Sequence, residues 1–330
     1  MDDLFYLNSL ERQSADLNQN NSLQMMIRLT AISFILLTLS FNSYAQDEAE
    51  TTDEATSNWT RTGVIGLNFS QTYLDNWQGG GQSSFNGTAL FNYTFNYKKD
   101  KVTWDNSIDA AYGLTRLGEA GVFQKTDDRF EFNSKLGRTT PVINTSWAAM
   151  FTFRTQWDAG YDFGQTPSPL ISDPFSPAYI IAGIGIDYKP SDAFSAYVSP
   201  VTNKTTIVDN VRLSAAGAFG VEPGETIRAE IGGFVKFQYQ KELVKNVKLT
   251  SKLDLFSNYL NNPQNIDVNW ETLIAMKIND FLSASITTHL IYDDDIRFDV
   301  DRNDDGIVDG AGPRTQFKEV FALGVQYQIK

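Results

Sequence analysis

Between Trp147 and Trp157 successive side chains alternate, with Trp147, Ala149, Phe151, Phe153, Thr155 and Trp157 on one face and Ala148, Met150, Thr152, Arg154, Gln156 and Asp158 on the other. The pattern predicts a strand with an apolar outside and a polar inside. Ten strand residues at ~3.3 Å each, tilted by ~40°, span roughly 25 Å, the height of the apolar band of a membrane barrel with an aromatic girdle at each rim. Trp104, Trp147, Trp157 and Trp270 are the girdle candidates.

The same alternation recurs in twelve runs, at about 61–73, 83–97, 102–115, 128–138, 145–158, 178–189, 193–200, 226–240, 247–259, 267–279, 281–293 and 315–329. In the second, Phe85, Ala89, Phe91, Tyr93, Phe95 and Tyr97 oppose Asn86, Thr88, Asn92, Thr94 and Asn96. The links sort by length. Every second one is short (98–101, 139–144, 190–192, 241–246 and Asp280), while 159–177, 201–225 and 294–314 are long. Lysines gather on the short side, and carboxylates such as Asp127, Asp162, Glu222 and Asp294 on the long side. Outer-membrane barrels keep periplasmic turns short and extracellular loops long, and a soluble β-sandwich has no reason to do so. The expected fold is therefore all-β: an antiparallel transmembrane β-barrel of about twelve strands. A short helix is expected near Ser214 to Phe219.

The 330-residue chain is 42% hydrophobic, which by average alone would suit a soluble protein. Alternation explains the discrepancy, because lumen-facing polar residues dilute the lipid-facing ones. The longest apolar run, Leu29 to Phe41, is too short to cross a bilayer as a helix. Arg28 before it and Ser43-Tyr44-Ala45 after it give the design of a cleavable export signal. The expected division is an upstream extension outside the signal at 1–24, a signal peptide at 25–45, an acidic flexible lead-in at 46–58 and the barrel at 59–330. The expected location is the bacterial outer membrane. With no cysteine, disulfides and thiolate chemistry are excluded. The net charge of −13, with no basic cluster, argues against nucleic acid.

The inward positions carry both signs of charge. Asp105, Asp109, Arg129, Glu131 and Lys135 come from the third and fourth runs, and Arg154 and Asp158 from the fifth. Arg228, Glu230 and Lys236 come from the eighth, Lys248, Lys252 and Asp254 from the ninth, and Glu271 and Lys277 from the tenth. Such a mixture can line a narrow channel or knit a salt-bridged structural interior, and the sequence leaves both readings open. A partner-binding role for the long loops is a third reading. His289, the only histidine, is expected as a hydrogen-bonded lumen residue. Asp293 lies four strand residues away, roughly 13 Å, so the two form no dyad by themselves. No enzymatic activity is expected.

Asp301-Arg302-Asn303-Asp304-Asp305-Gly306-Ile307-Val308-Asp309 fits the first nine places of an oxygen-ligand calcium loop. Asp301, Asn303 and Asp305 would offer side chains, Ile307 its carbonyl and Asp309 the ninth place. Gly312 stands where a helical calcium hand has its bidentate glutamate. Calcium is the one candidate cofactor. Expected partners are outer-membrane lipid, the barrel-assembly machinery and a surface or periplasmic protein, with the chain itself monomeric.

Several motifs together resemble a known family. They are Asn76-Trp77-Gln78-Gly79-Gly80 with Ser84 and Asn86, Trp104-Asp105-Asn106, Ala111-Tyr112-Gly113, Phe175-Ser176-Pro177, Leu253 to Asn265, and Ile291 to Asp295. The chain is similar in these to the exported proteins catalogued as domain of unknown function 3078. The resemblance implies an outer-membrane barrel and brings no substrate, catalytic residue or cofactor.

Overall fold

The computed structural model describes residues 57–72, 83–118, 121–300 and 309–329. Twelve strands close into one antiparallel barrel: β1 (Trp59–Thr72), β2 (Ser84–Lys99), β3 (Val102–Leu117), β4 (Gln124–Thr139), β5 (Thr145–Thr155), β8 (Ala178–Ser191), β9 (Phe194–Ile207), β10 (Ile227–Val244), β11 (Val247–Asn258), β12 (Ile266–Lys277), β13 (Leu282–Tyr292) and β16 (Gln316–Ile329). Two small hairpins sit in the long links, β6 (Gly160–Tyr161) with β7 (Leu170–Ser172) and β14 (Phe298–Val300) with β15 (Gly310–Gly312). Around the barrel each strand lies beside its neighbour in sequence, and β16 returns to β1. The expected strand number and pairing are both present.

Alternation sets the two faces, and the outside is apolar. Leu67, Phe69, Trp147, Ile184, Phe321 and Tyr327 all stand exposed on the outer wall, where water would penalise them and hydrocarbon does not. Every strand backbone is paired within the sheet along most of its length, which is what lets strands cross a membrane.

Three of the differences from the sequence reading have an evident cause. The run expected at 193–200 ends on Pro200, yet β9 runs on to Ile207. The ladder slips a residue on both sides of Pro200, between Ile184 and Ile186 on β8 and between Gly232 and Phe234 on β10. A bulge needs no ladder donor at its extra residue, so proline is tolerated there. The Ser199 hydroxyl lies 3.0 Å from the Ile184 carbonyl and 2.9 Å from that of Val201, and accepts from Thr202 at 2.7 Å. The link after β9 is correspondingly shorter. It carries α1 (Val211–Ala215), capped by the Asn210 side chain, and a 3-10 turn at Ala218–Gly220. The helix is shorter and earlier than expected because Gly217 adopts φ 66° and ends it.

The third difference is at β5, which stops at Thr155, so Trp157 and Asp158 lie beyond the strand rather than in it. Asp128 takes both of their backbone N–H groups at 2.9 Å, pulling the chain off the ladder.

Candidate functional site

The lumen is where the charged side chains converge. Counting around the barrel, β4 and β12 stand six places apart in a ring of twelve, as do β3 and β11. Arg129 on β4 nonetheless reaches Glu271 on β12 at 2.5 Å, and Lys252 on β11 lies 3.9 Å from Asp109 on β3. A circular twelve-stranded barrel with ~4.8 Å between strands and a ~40° tilt would be roughly 24 Å across. Extended Arg and Glu side chains with their contact cover only about 15 Å between Cα atoms. The wall is therefore drawn in along this line, and the ion pairs divide the lumen.

Arg154 on β5 anchors the middle of the divide. It donates to Glu131 at 2.8 Å and lies 3.9 Å from Asp254 across the lumen. The Asn269 carboxamide, oriented so that its oxygen accepts from Arg154 at 2.8 Å, donates to His289 Nε2 at 2.5 Å. His289 is thus a hydrogen-bonded lumen residue, with Glu271 3.9 Å away. Lys236 pairs with Asp254 at 3.3 Å and Lys135 with Asp187 at 2.8 Å. Asp105 faces Lys135 in register.

Toward the long-loop end a second knot forms. Lys204 reaches Asp267 at 2.6 Å, Asp293 at 3.1 Å and Glu230 at 3.8 Å, while Arg228 pairs with Glu230 and with Asp295. The sequence reading missed Lys204 because it placed residue 204 in a loop. Recognising that proline is tolerated in a bulge would have found it.

Three of the expected lumen residues do not line the bore. Asp158 sits past the end of β5, where it accepts from the Tyr112 hydroxyl at 2.7 Å and its carbonyl accepts from Lys125. Lys277 is exposed at the last position of β12, 2.7 Å from Asp280, whose carboxyl this donor holds below the usual carboxylate range. Lys248 points inward by parity but is exposed at the short-turn end, opposite Glu242. Both lysines stand at the rim, where the lumen meets solvent.

Beside the ion pairs lies an apolar core inside the barrel. Ala148 and Met150 from β5, Tyr197 from β9, Phe234 from β10 and Phe256 from β11 bury one another, and Lys204 lies over the Phe256 ring at 5.3 Å. Gly185 faces this packing across the β8–β9 bulge, where an added Cβ would stand 2.0 Å from the Val198 carbonyl oxygen. The opposite wall is different. Thr60, Thr62, Val64, Ser70 and Thr72 face inward from β1 and all are exposed. Val64 is 37% exposed, whereas Phe234 is 2% and Thr202 0%, so water reaches the β1 wall and not the β9–β10 wall. Thr62 and Thr94 pair hydroxyls at 2.8 Å, and Asn86 donates to Ser70. The inward positions of β1 are thus neutral and mostly exposed, a shallow crevice interrupted where Leu90 stands opposite the buried Gly66.

Of the tryptophans, Trp104 and Trp147 lie at the short-turn end, joined by Trp59, whose ring centroid is 5.8 Å from that of Trp104. Trp157 is at the long-loop end, edge-on to Phe130 at 4.9 Å. Trp270 sits within β12 and gives its indole N–H to Ser251. The calcium-loop residues Asp301, Asn303, Asp305 and Ile307 lie outside the described residues. Asp309 follows them, and the Val300↔Gly310 pair brings the two ends of the segment together.

A closed twelve-strand sheet with an apolar exterior and a charged, partly packed interior defines an outer-membrane β-barrel. Residues 69–161 match the family described as "Protein of unknown function (DUF3078)", and residues 182–306 the one described as "Protein of unknown function, DUF481". The first is the family whose motifs the sequence resembles. Its match takes in the motifs from Asn76 to Gly113, while Phe175-Ser176-Pro177 falls between the two matches. That tripeptide is structural here: Ser176 is fully buried and its hydroxyl accepts from the Asn210 N–H at 2.8 Å, tying two long links together.

Among solved structures, the chain is similar to the COG4313 outer membrane channel from Pseudomonas putida F1 (12% identity, 85% of this chain and 99% of that one, TM-score 0.36). It is also similar to the translocator domain of autotransporter NalP from Neisseria meningitidis (7% identity, 83% and 90%, TM-score 0.32). A third is the CymD monoaromatic hydrocarbon channel (10% identity, 82% and 87%, TM-score 0.29). No curated protein matches the chain.

Proposed function

We propose that this protein is a narrow channel of the bacterial outer membrane whose solute route is eccentric, running along β1 rather than down the barrel axis. The observation that carries the reading is the unequal exposure of inward side chains, high at most β1 positions and near zero from Tyr197 to Thr206 on β9 and at Glu230 and Phe234 on β10. Threonine, serine and asparagine line that route and offer hydrogen bonds without charge, so the solutes it suits are small, hydrophilic and uncharged. The axis itself is crossed by the Arg129–Glu271 and Lys252–Asp109 pairs. Those pairs favour a second reading, a structural barrel that conducts nothing. Neither reading asks for chemistry from His289, whose Nε2 is engaged by Asn269.

Reconstitution into liposomes separates the two. Glycerol-sized solutes should enter and disaccharides should not, and Val64→Trp should stop the flux while the folded barrel keeps its gel mobility. A purified barrel that passes neither glycerol nor ions leaves the structural reading.

A further inference from the structure

The barrel closes incompletely. Among the described residues the β1–β16 ladder runs only from Gly63↔Ile329 to Asn68↔Gly324. The same register would continue as Phe69↔Leu323, Ser70↔Ala322, Gln71↔Phe321 and Thr72↔Val320, and none of these pairs is made. Both strands stay paired on their other edges, β1 with β2 as far as Thr72↔Ser84 and β16 with β13 as far as Ile291↔Gln316. Phe69, Phe321 and Leu323 are exposed on the outer face of this stretch, which places it within the apolar band. Unpaired strand edges in hydrocarbon are costly, so something other than lipid tails alone should meet them.

We infer that this seam is a lateral port admitting a single-chain amphiphile with an uncharged hydroxyl head from the bilayer into the β1 crevice. The walls change character from outside to inside. Phe69, Phe321 and Leu323, with Gln71 as the one polar member, form the outer rim, and Ser70, Thr72, Val320 and Ala322 form an uncharged inner one. The N–H and C=O groups of the two edges that lack ladder partners would hydrogen-bond a hydroxyl head as it passes. An anionic head has no cation waiting: Lys318, the nearest on β16, is engaged by Asp127 at 3.1 Å and by the Thr126 carbonyl. The gap is four residues long, roughly 13 Å of strand, enough for one extended chain. The port deepens the channel reading and rests on it for the onward route only.

The test uses the full barrel in phospholipid vesicles containing a long-chain alcohol that carries a photoreactive diazirine. After illumination, adducts are located by mass spectrometry. Adducts are expected on the inward residues Ser70, Thr72, Val320 and Ala322. The chain has no cysteine, so the double variant Ser70→Cys/Ala322→Cys can zip the seam through one disulfide. Oxidised, it should lose the inward adducts at least tenfold; reduced, it should regain them. Adducts confined to Phe69, Phe321 and Leu323, or inward adducts indifferent to the disulfide, would overturn the port. So would a pair that oxidises as fast as Val64→Cys/Gln328→Cys in the closed part of the ladder, because the seam would then be shut at rest. Absent glycerol flux with labelling as expected would instead sink the channel reading and leave the port standing.

Discussion

The arc from β5 through β11 packs much of its inner face as a soluble protein packs a core, whereas the arc centred on β1 leaves most of that strand's inner face exposed and its flanking strands half-buried. Both arcs follow the same two-residue alternation, and both present apolar side chains to lipid. They differ in what stands inward. Phe234, Phe256, Tyr197 and Met150 are large enough to meet across the drawn-in wall, and Gly185 lets β8 and β9 approach closely enough for them to do so. On β1 the inward residues are threonine, serine, valine, glycine and one asparagine, too short to reach a partner across the lumen. A barrel of intermediate strand number is thus neither plugged nor open by virtue of its size. Side-chain length, arc by arc, decides which part fills.

The largest effect should come from Gly185→Val, since its Cβ meets backbone rather than a movable side chain. We expect loss of the compact, heat-modifiable form on gel electrophoresis. Normal folding of that variant would mean that the bulged strands are not tightly apposed. Phe234→Ala should cost about 3 kcal/mol in reversible urea unfolding, while Val64→Ala on the wet arc should cost less than ~0.5 kcal/mol. Equal losses at the two positions would erase the distinction between the arcs. Smaller than the Phe234 effect is that of Arg129→Ala. Its side chain is 33% exposed and that of Glu271 22%, so solvent screening limits the stability loss to about 1–2 kcal/mol. The sharper readout is conductance in planar bilayers, which should rise as the divide between the arcs is breached. An unchanged conductance would show that the ion pair does not bound the route.

Much of this fold was legible in advance, for a local reason. The outward row Phe91, Tyr93, Phe95 and the inward row Asn92, Thr94, Asn96 identify β2 without any knowledge of its neighbours, because alternation is a property of one strand. Errors arose where a local rule met a tertiary remedy. Pro200 reads as a strand end, and Ser199 with the flanking glycines makes it a bulge. Trp157 reads as the last outward position of a strand that Asp128 in fact ends two residues earlier. The candidate lumen residues were mostly visible as inward charges, but their partners were not. Neighbouring strands account for Arg154–Glu131, while Arg129–Glu271 joins residues 142 apart in sequence and six strands apart around the ring.

The order of amino acids alone determined that this chain makes twelve membrane-spanning strands with a polar inside, since the period-two pattern needs nothing beyond each segment's own residues and the solvent on either side. Only the closed structure decided which inward charges neutralise one another, which arc is filled and which is wet, and where the ladder between first and last strands stops. Those outcomes depend on distances across the lumen, which are set by the ring as a whole and by no single stretch of sequence.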